Sequence, residues 1–559
     1  MKGYGQTGLP SAEELLFLSL GGAGEIGMNL NLFGHDGAWL MLDLGITFGD
    51  DETPGIDIIM PDPTFIEERV DALAGLVLTH AHEDHIGAVP YLWQRLKCPI
   101  YATPFTASIL RRKLEEVNLH KKAVITEIPL SGRFDVGPFN IELITLTHSI
   151  PEPNACVIRT AAGTVMHTGD WKLDPDPKVG ATTDEEALIR VGKEGVLAMT
   201  CDSTNVFVAG HSGSEADVRD SLRETTAAFD NRVVIACFAS NVARLESAAH
   251  AALQNDRSVA LVGRSLWRFY EAAMENGYLT EIPRFLTAKE AADIPRDKIL
   301  LICTGSQGEP RSALARIVRG EHRDVHLDPG DVVIFSSRII PGNEKSIGRL
   351  QNRLAELGVE MVTTNDDEGI HVSGHPGREE LIQMYQWIRP QVAVPVHGEL
   401  RHLRAHAALA KECQVPQSCV APNGTLLRLA PGPATVVDDV FTGRLALDGN
   451  RLISLASSVM RERRGLMENG SAVVTLVVDR AGDLHADPQI ATQGVFDQDG
   501  DPDLIEGMTD AVMDALEDMP AKSRRMDDAV CEAVRIGLRR WIKAICGKRP
   551  KTKVHLVRV

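Results

Sequence analysis

"GLVLTHAHEDHIGAVPYL", residues 75–92, is the stretch whose reading decides the fold. The apolar run Leu76-Val77-Leu78 reads as a buried strand, and it ends in four side chains able to bind a metal: His80, His82, Asp84 and His85. Two histidines at i and i+2, with Asp and His two and three positions after the second, cannot line one helix face. They suit a tight loop after a strand, with side chains converging on one point. Imidazole and carboxylate together favour zinc or manganese over calcium. The construction recurs along the chain. "LITLTHSIPE" puts His148 at the end of a strand, "VMHTGDWKLD" does the same for Asp170, and "VAVPVHGE" adds His397. A layered α/β site collects its ligands just after apolar runs, so these seven residues are expected to meet.

The rest of the chain sets the frame. At 559 residues it exceeds one ordinary core, and about three domains are expected. A hydrophobic content of 44% with 24% charged residues describes a globular protein. No apolar run approaches the roughly 18 residues of a membrane span. The run Leu15-Leu16-Phe17-Leu18 follows acids and lacks a basic flank, so no signal peptide is expected. Nine scattered cysteines without a C-x-x-C pair fit free thiols in a reducing cytoplasm. The net charge of −19 argues against nonspecific coating of nucleic acid, while leaving room for a local basic channel or a metal-held phosphate.

"LNLFGHDGAWLMLDLG" (30–45) reads as two strands around a His-Asp-Gly turn. "VVIACFAS", "SVALVGRS", "ILLICTGS" and "DVVIFSS" alternate with helical stretches such as "EADVRDSLRETTAAF" and "VARLESAAHAALQN", which predicts parallel βαβ units across 214–350. "RLISLASSVMRERRGLMENG" reads as a linker into a last small domain, which opens on the hairpin-like "SAVVTLVVDRAGDL". From Arg524 to Val559 that domain carries eleven Lys/Arg against three Asp/Glu, read either as an arm facing RNA or a partner or as a solvated face. One motif is a decoy. "GGAGEIG" has the G-x-G-x-x-G outline of a dinucleotide site (Gly22, Gly24, Gly27), but "MNLNLF" after it is strand-like, and the pyrophosphate needs a helix N-terminus.

H-x-H-x-D-H with later His, Asp and His resembles the metallo-β-lactamase superfamily. "GGAGEIGMN", "CDSTN", "CFASN", "CTGSQGEPRSAL", "SSRIIPGNE", "HVSGHP" and "VPVHGE" narrow the resemblance to the β-CASP nucleases, and within them to the bacterial ribonuclease J family. Ala81 stands where that family usually has glycine between the first two histidines; it is not a ligand. The resemblance implies an α/β fold: an αββα metallo-β-lactamase sandwich interrupted by a β-CASP α/β domain, plus a small α+β C-terminal domain. The implied boundaries are 1–213 and 353–440 for the two parts of the sandwich, 214–352 for the insert, 441–468 for a linker and 469–559 for the last domain.

It further implies two divalent metal ions per chain, zinc first and manganese as the alternative. His80, His82 and His148 would hold one, Asp84, His85 and His397 the other, with Asp170 bridging and Asp43 orienting a ligand from behind. His375 would donate a proton, oriented by Asp202. Phe238, Ala239, Ser240 and Asn241, with His371, Val372, Ser373, Gly374 and His375, would cup a 5′-phosphate through backbone amides. "CFASN" has a second reading, a strand-to-helix turn with Ser240 or Asn241 as N-cap.

This donor set suits the chemistry. A phosphodiester repels hydroxide, and two metals about 3.5–4 Å apart can clamp its oxygen and lower the pKa of a water. The expected activity is 5′-to-3′ exoribonuclease, preferring a 5′-monophosphate, with endoribonuclease action in RNA turnover and in rRNA and mRNA 5′-end maturation. RNA is the expected partner, with a homodimer or homotetramer formed through the C-terminal domain, further RNA-degradation partners, a cytoplasmic setting and no membrane. The competing readings are a non-catalytic or weakly active RNA-binding subunit of a ribonuclease complex, a β-CASP DNA nuclease, and a small-molecule hydrolase. The large insert and "HVSGH" count against the last.

Overall fold

The computed structural model describes residues 8–497 and 501–559. Two sheets build the larger part of the chain. The first has eight strands in the order Thr435–Asp439, Thr425–Ala430, Leu15–Gly21, Leu30–His35, Ala38–Leu42, Leu73–Val77, Ile100–Ala102 and Ile125–Glu127. The second has seven: Arg133–Val136, Phe139–Thr145, Asn154–Thr160, Gly163–His167, Ala198–Asp202, Val392–Val396 and Gln417–Ser418.

Alternation along the second sheet makes the layers. Phe139, Ile141, Leu143, Val165, Ala198, Val392 and Val394 point into a core shared with Leu15, Phe17, Phe33, Leu40 and Leu42 of the first sheet. Their neighbours Ile144, Met166, Met199 and Ala393 face the other way. They pack under Leu188, Leu381, Met384, Ile388 and Leu409 of the helices Glu185–Glu194, Arg378–Ile388 and Leu400–Glu412. Burial on both faces explains why these strands read as unbroken apolar runs. Shifting one of them by a single residue would exchange its two faces, so the register that aims the strand ends is fixed by both cores at once.

Val392–Val396 pairs in parallel with Ala198–Asp202, although nearly two hundred residues separate them in the chain. The sandwich is therefore discontinuous. Between these strands lies an all-parallel sheet of six, in the order Leu286–Thr287, Ser258–Val262, Ile299–Cys303, Val233–Ala236, Val332–Phe335 and Glu360–Val362. The expected helices between these strands form as Glu215–Ala227 and Val242–Gln254. The glycine-rich "GGAGEIG" leads into Leu30–His35, antiparallel to Leu15–Gly21, and no helix starts there. The dinucleotide reading fails on that point.

Residues Phe48–Ile59 and Arg444–Val559 form a compact unit of their own. In it Ser471–Val478 pairs antiparallel with Leu484–Gln493 and parallel with Lys551–Arg558. Ala472, Val474, Leu476 and Val478 pack on Val512, Val530, Val534 and Leu538 of the helices Pro502–Glu517 and Asp527–Cys546, which gives the small α+β domain. The stretch expected as a linker has more structure than the sequence reading gave it. Arg444–Asp448 and Arg451–Ser454 form a hairpin, and Ser458–Asn469 is a helix whose first turn is capped by the Ser457 hydroxyl, accepting from Met460 N. Among the described residues, no helix is long and apolar enough to cross a membrane.

Candidate metal centre

Every candidate ligand follows the C-terminal end of a strand, and these ends share one edge of the sandwich. Leu73–Val77 delivers Thr79 and His80, and Ala38–Leu42 delivers Asp43. Phe139–Thr145, Gly163–His167, Ala198–Asp202 and Val392–Val396 deliver His148, Asp170, Asp202 and His397. His82 caps a single helical turn, Glu83–Ile86, which carries Asp84 and His85. That turn sits against Gly45 so closely that a Cβ there would fall 1.7 Å from Asp84 O.

The structure brings all seven sequence-derived ligands together, in two sets that share one residue. His80, His82, His148 and Asp170 form the first, and Asp84, His85, Asp170 and His397 the second, with donor atoms within 4.8 Å of one another in each. A third group joins Asp170 and His397 to Asp202 and His375.

Hydrogen bonds fix which ring nitrogens are free. Asp43, fully buried, accepts from Thr79 N (2.8 Å), from the Thr79 hydroxyl (2.9 Å) and from His85 Nδ1 (2.7 Å). His85 therefore turns Nε2 toward Asp170 Oδ2, 3.2 Å away. With the Thr79 proton spent on Asp43, Thr79 Oγ1 accepts from His80 Nδ1 at 3.0 Å, leaving a lone pair on His80 Nε2. His148 Nδ1 donates to Gly374 O, leaving a lone pair on its Nε2 as well. His82 Nδ1 lies 3.1 Å from His80 Nε2 and 3.0 Å from His148 Nε2. One proton on His82 can serve only one of those two acceptors. A cation at their focus serves all three.

Electrostatics give the same answer. Burial, and then the neighbouring imidazoles, hold His80 well below the usual histidine range. Burial dominates likewise at His148, also well below, and at His82, lowered to about 4. All three are neutral donors. Burial alone would raise Asp84, Asp170 and Asp202, but the charges of His85, His397 and His375 outweigh it, and the three carboxylates are lowered. Burial also opposes charge on His85 and His397, yet the carboxylates, Asp170 first, carry both well above the ordinary value. The cluster demands positive charge at its centre. Among the described residues buried Asp170 Oδ1 has no hydrogen-bond partner, and a cation is what such an oxygen would ligate. The residues present fit divalent cations.

Family comparisons place known domains over the segments that carry this site. A model of the beta-lactamase superfamily domain matches residues 53–190, and one of the Zn-dependent metallo-hydrolase RNA specificity domain matches 368–417. The ribonuclease J beta-CASP domain matches 230–354 and the ribonuclease J C-terminal domain 458–559. The ribonuclease J of Sinorhizobium meliloti is 45% identical over 98% of this chain and 98% of its own length. The chain belongs to the ribonuclease J family. Ribonuclease J of Corynebacterium glutamicum is 38% identical, covering 96% of this chain and 75% of that one. Ribonuclease J 1 of Streptococcus pyogenes is 36% identical over 93% and 94%. A crystal structure of a protein of unknown function from Enterococcus faecalis V583 shares the fold, with a TM-score of 0.51, 17% identity, and coverage of 74% of this chain and 100% of that one. The ribonuclease J resemblance read from the motif blocks therefore holds across the chain.

Around the ribonuclease J cluster the structure adds residues that the sequence reading passed over. Thr204 Oγ1 lies 2.9 Å from His397 Nδ1, and Asn29 Nδ2 donates to Asp84 O at 3.0 Å. Asn205 Nδ2 donates to Ser373 Oγ (2.7 Å) and His375 O (3.0 Å), fixing the loop that carries His375. His375 Nδ1 donates to Asp202 Oδ2 at 2.8 Å, and the carboxylates of Asp202 and Asp170 overcome burial to raise its pKa. A Cβ on Gly374 would meet His148 Cε1 at 2.6 Å, so only glycine lets "HVSGH" pass over that ring.

The two halves of the expected phosphate cup differ in how they relate to the cluster. His371–His375 touches it directly, through Gly374 and His375. Among the described residues, no hydrogen bond or ring contact joins Phe238–Asn241 to it; Asn241 caps the helix Val242–Gln254, its side chain accepting from Arg244 N at 2.9 Å. The link runs through Arg244, whose Nη1 donates to Ile370 O and lies 3.4 Å from His371 Nδ1. Thr79, Thr204 and Asn205 left one usable signal: small polar residues directly after buried strands, beside the ligands already singled out.

Asp43 gives a direct test of the shell behind the ligands. Asp43→Asn is expected to weaken divalent-metal affinity by roughly 10–100-fold, because His85 loses its fixed tautomer. Metal titration followed by calorimetry reads this; an unchanged affinity would remove Asp43 from the ligand-orienting role.

Proposed function

We propose that this chain is a two-metal ribonuclease that degrades RNA from the 5′ end, prefers a 5′-monophosphate and also cuts internally. The observation that carries the reading is Asp170, the one carboxylate common to both ligand sets. The cations are zinc, with manganese as the alternative, since imidazole and carboxylate donors suit both. When bound, they supply Lewis acidity, neutralising the phosphodiester charge and lowering the pKa of a water from 15.7 toward about 7.

The chain's own groups do the rest. His80, His82 and His148 act as neutral donors, and Asp84, His85 and His397 form the second set, with Asp170 between them. His375 faces the leaving 3′-oxygen and gives it a proton, and Asp202 holds its imidazole in one tautomer through Nδ1. The amides of His371 to His375 and of Phe238 to Asn241 cup the 5′-phosphate, which needs no net positive surface. An acidic chain can therefore grip RNA. The same reading takes 1–213 and 353–440 as the catalytic domain, 214–352 as the insert and 469–559 as an assembly domain for a homodimer or homotetramer. It places the work in cytoplasmic RNA turnover and rRNA and mRNA 5′-end maturation, alongside other RNA-degradation partners.

The test is a paired digestion of one RNA bearing a 5′-monophosphate or a 5′-triphosphate, with the Asp84→Ala, His85→Ala variant as control. Mononucleotides are expected mainly from the monophosphate substrate and are lost in the control. Internal fragments from both substrates in equal yield would reduce the phosphate cup to general RNA binding. No cleavage with metal present would overturn the ribonuclease reading.

A further inference from the structure

Single exposed aromatics are ordinary on protein surfaces. Phe207 has a built setting. Its side chain is 59% exposed, two residues past Asn205, which grips the His375 loop. Its ring leans on the His402 imidazole, centroids 5.2 Å apart. The His402 side chain in turn packs on Gly398, the residue after His397; a Cβ on that glycine would meet His402 Cβ at 2.9 Å. Phe207 is thus fixed to the segments that carry two groups of the catalytic cluster.

Over the ring stands the Arg401 guanidinium, its carbon 6.0 Å from the centroid, the outer limit of a cation–π contact. Arg401 Nε donates to Glu399 Oε2 at 2.7 Å, and the same oxygen lies 3.9 Å from His402 Nδ1, a buried nitrogen with no hydrogen-bond partner among the described residues. Glu399 therefore has a second donor at hand when Arg401 leaves it. The result is an exposed aromatic face with a guanidinium above it that its partner Glu399 can release, on the segments that lead from the candidate active site.

We propose that Phe207 is a stacking platform for one nucleobase of the bound RNA strand, with Arg401 closing over the base toward a neighbouring phosphate. The proposal rests on the RNA reading above. Single-stranded nucleic acids are held in this way, by aromatic faces that accept any base and by basic groups along the backbone.

The test measures KM on a single-stranded RNA oligomer and on a set in which an abasic residue is walked along the strand. Phe207→Ala is expected to raise KM roughly 5- to 150-fold, the loss of one base–aromatic stack. Phe207→Leu keeps apolar contact with His402 but lacks a π-face, and is expected to match Ala; Phe207→Trp is expected to retain the wild-type KM. In the wild type one abasic position carries the largest penalty, and that penalty disappears in Phe207→Ala. A wild type that cleaves RNA while Phe207→Ala keeps KM within twofold overturns the platform and leaves the ribonuclease reading standing. Abasic penalties equal in the two proteins overturn it as well. A wild type that cleaves no RNA overturns both.

Discussion

Asp170→Asn is expected to lower RNA hydrolysis by roughly 10³-fold or more, with loss of bound metal. Asp170 Oδ2 lies 3.2 Å from His85 Nε2, 3.8 Å from His80 Nε2 and 3.9 Å from His148 Nε2, while Oδ1 lies 3.6 Å from His397 Nδ1. Among the described residues, Asp170 is the ligand that belongs to both sets. Asparagine keeps the shape, so the fold is expected to survive, but it removes a charge and replaces one anionic oxygen by an amide nitrogen that cannot ligate a cation. Metal-held charge is worth several kcal/mol in the transition state, and each 1.36 kcal/mol is a factor of about ten in rate. Metal content per chain and single-turnover cleavage of one RNA read the two effects separately. Full metal occupancy with a rate within tenfold of wild type would remove Asp170 from the bridging position. Asp84→Asn, by contrast, alters one set only, and its expected loss is smaller.

The sequence made the ligands legible because each is a costly polar group at the end of an apolar strand, a pattern that survives without knowledge of the partner strands. The parallel insert was readable for the same reason, since buried strands and amphipathic helices advertise themselves locally, whereas the sandwich and its interruption followed from the resemblance of the motif blocks to a known family. What was not legible is the set of contacts that the chain makes over long separations. Asn205 meets the His375 carbonyl across 170 positions and His148 meets Gly374 O across 226, and neither residue type signals such a partner. The helix within 451–470 was not read because its exposed, charged residues lack an apolar stripe, although the Ser457 cap and the helix formers after it suffice for a helix. Arg244 was passed over because an arginine three residues after an N-cap is ordinarily a solvated helix residue, whereas here its side chain is fully buried.

That burial makes Arg244→Met the largest expected loss of stability, about 3–5 kcal/mol. Arg244 pairs with Glu215 through Nη2 at 3.2 Å, with side-chain exposures of 0% and 1%, and its Nη1 donates to Ser336 O (2.7 Å), to Ser336 Oγ (2.5 Å) and to Ile370 O (3.3 Å). Methionine fills much of the volume but leaves the Glu215 carboxylate buried without its cation, and that uncompensated charge is the main cost. Removing both charges, in Arg244→Met with Glu215→Leu, is expected to recover most of the loss, since a buried pair replaced by apolar side chains is often near neutral. The recovery stays incomplete because the Ser336 carbonyl loses the Arg244 donor, while Ile370 O keeps the Ser336 hydroxyl at 2.7 Å. Urea unfolding of the wild type, both single variants and the double variant gives the coupling directly, and a value below about 0.5 kcal/mol would mean that the pair is not a unit. The double variant also separates stability from placement. Ile370 opens the loop that passes Gly374 over His148 and sets His375 against Asp202, and its carbonyl is held to the insert by the Ser336 hydroxyl (2.7 Å) and by Arg244 Nη1 (3.3 Å). A double variant that folds well yet cleaves RNA less efficiently is therefore expected, and full activity in it would show that the Ser336 hydroxyl and the contacts of Gly374 and His375 place the loop without Arg244.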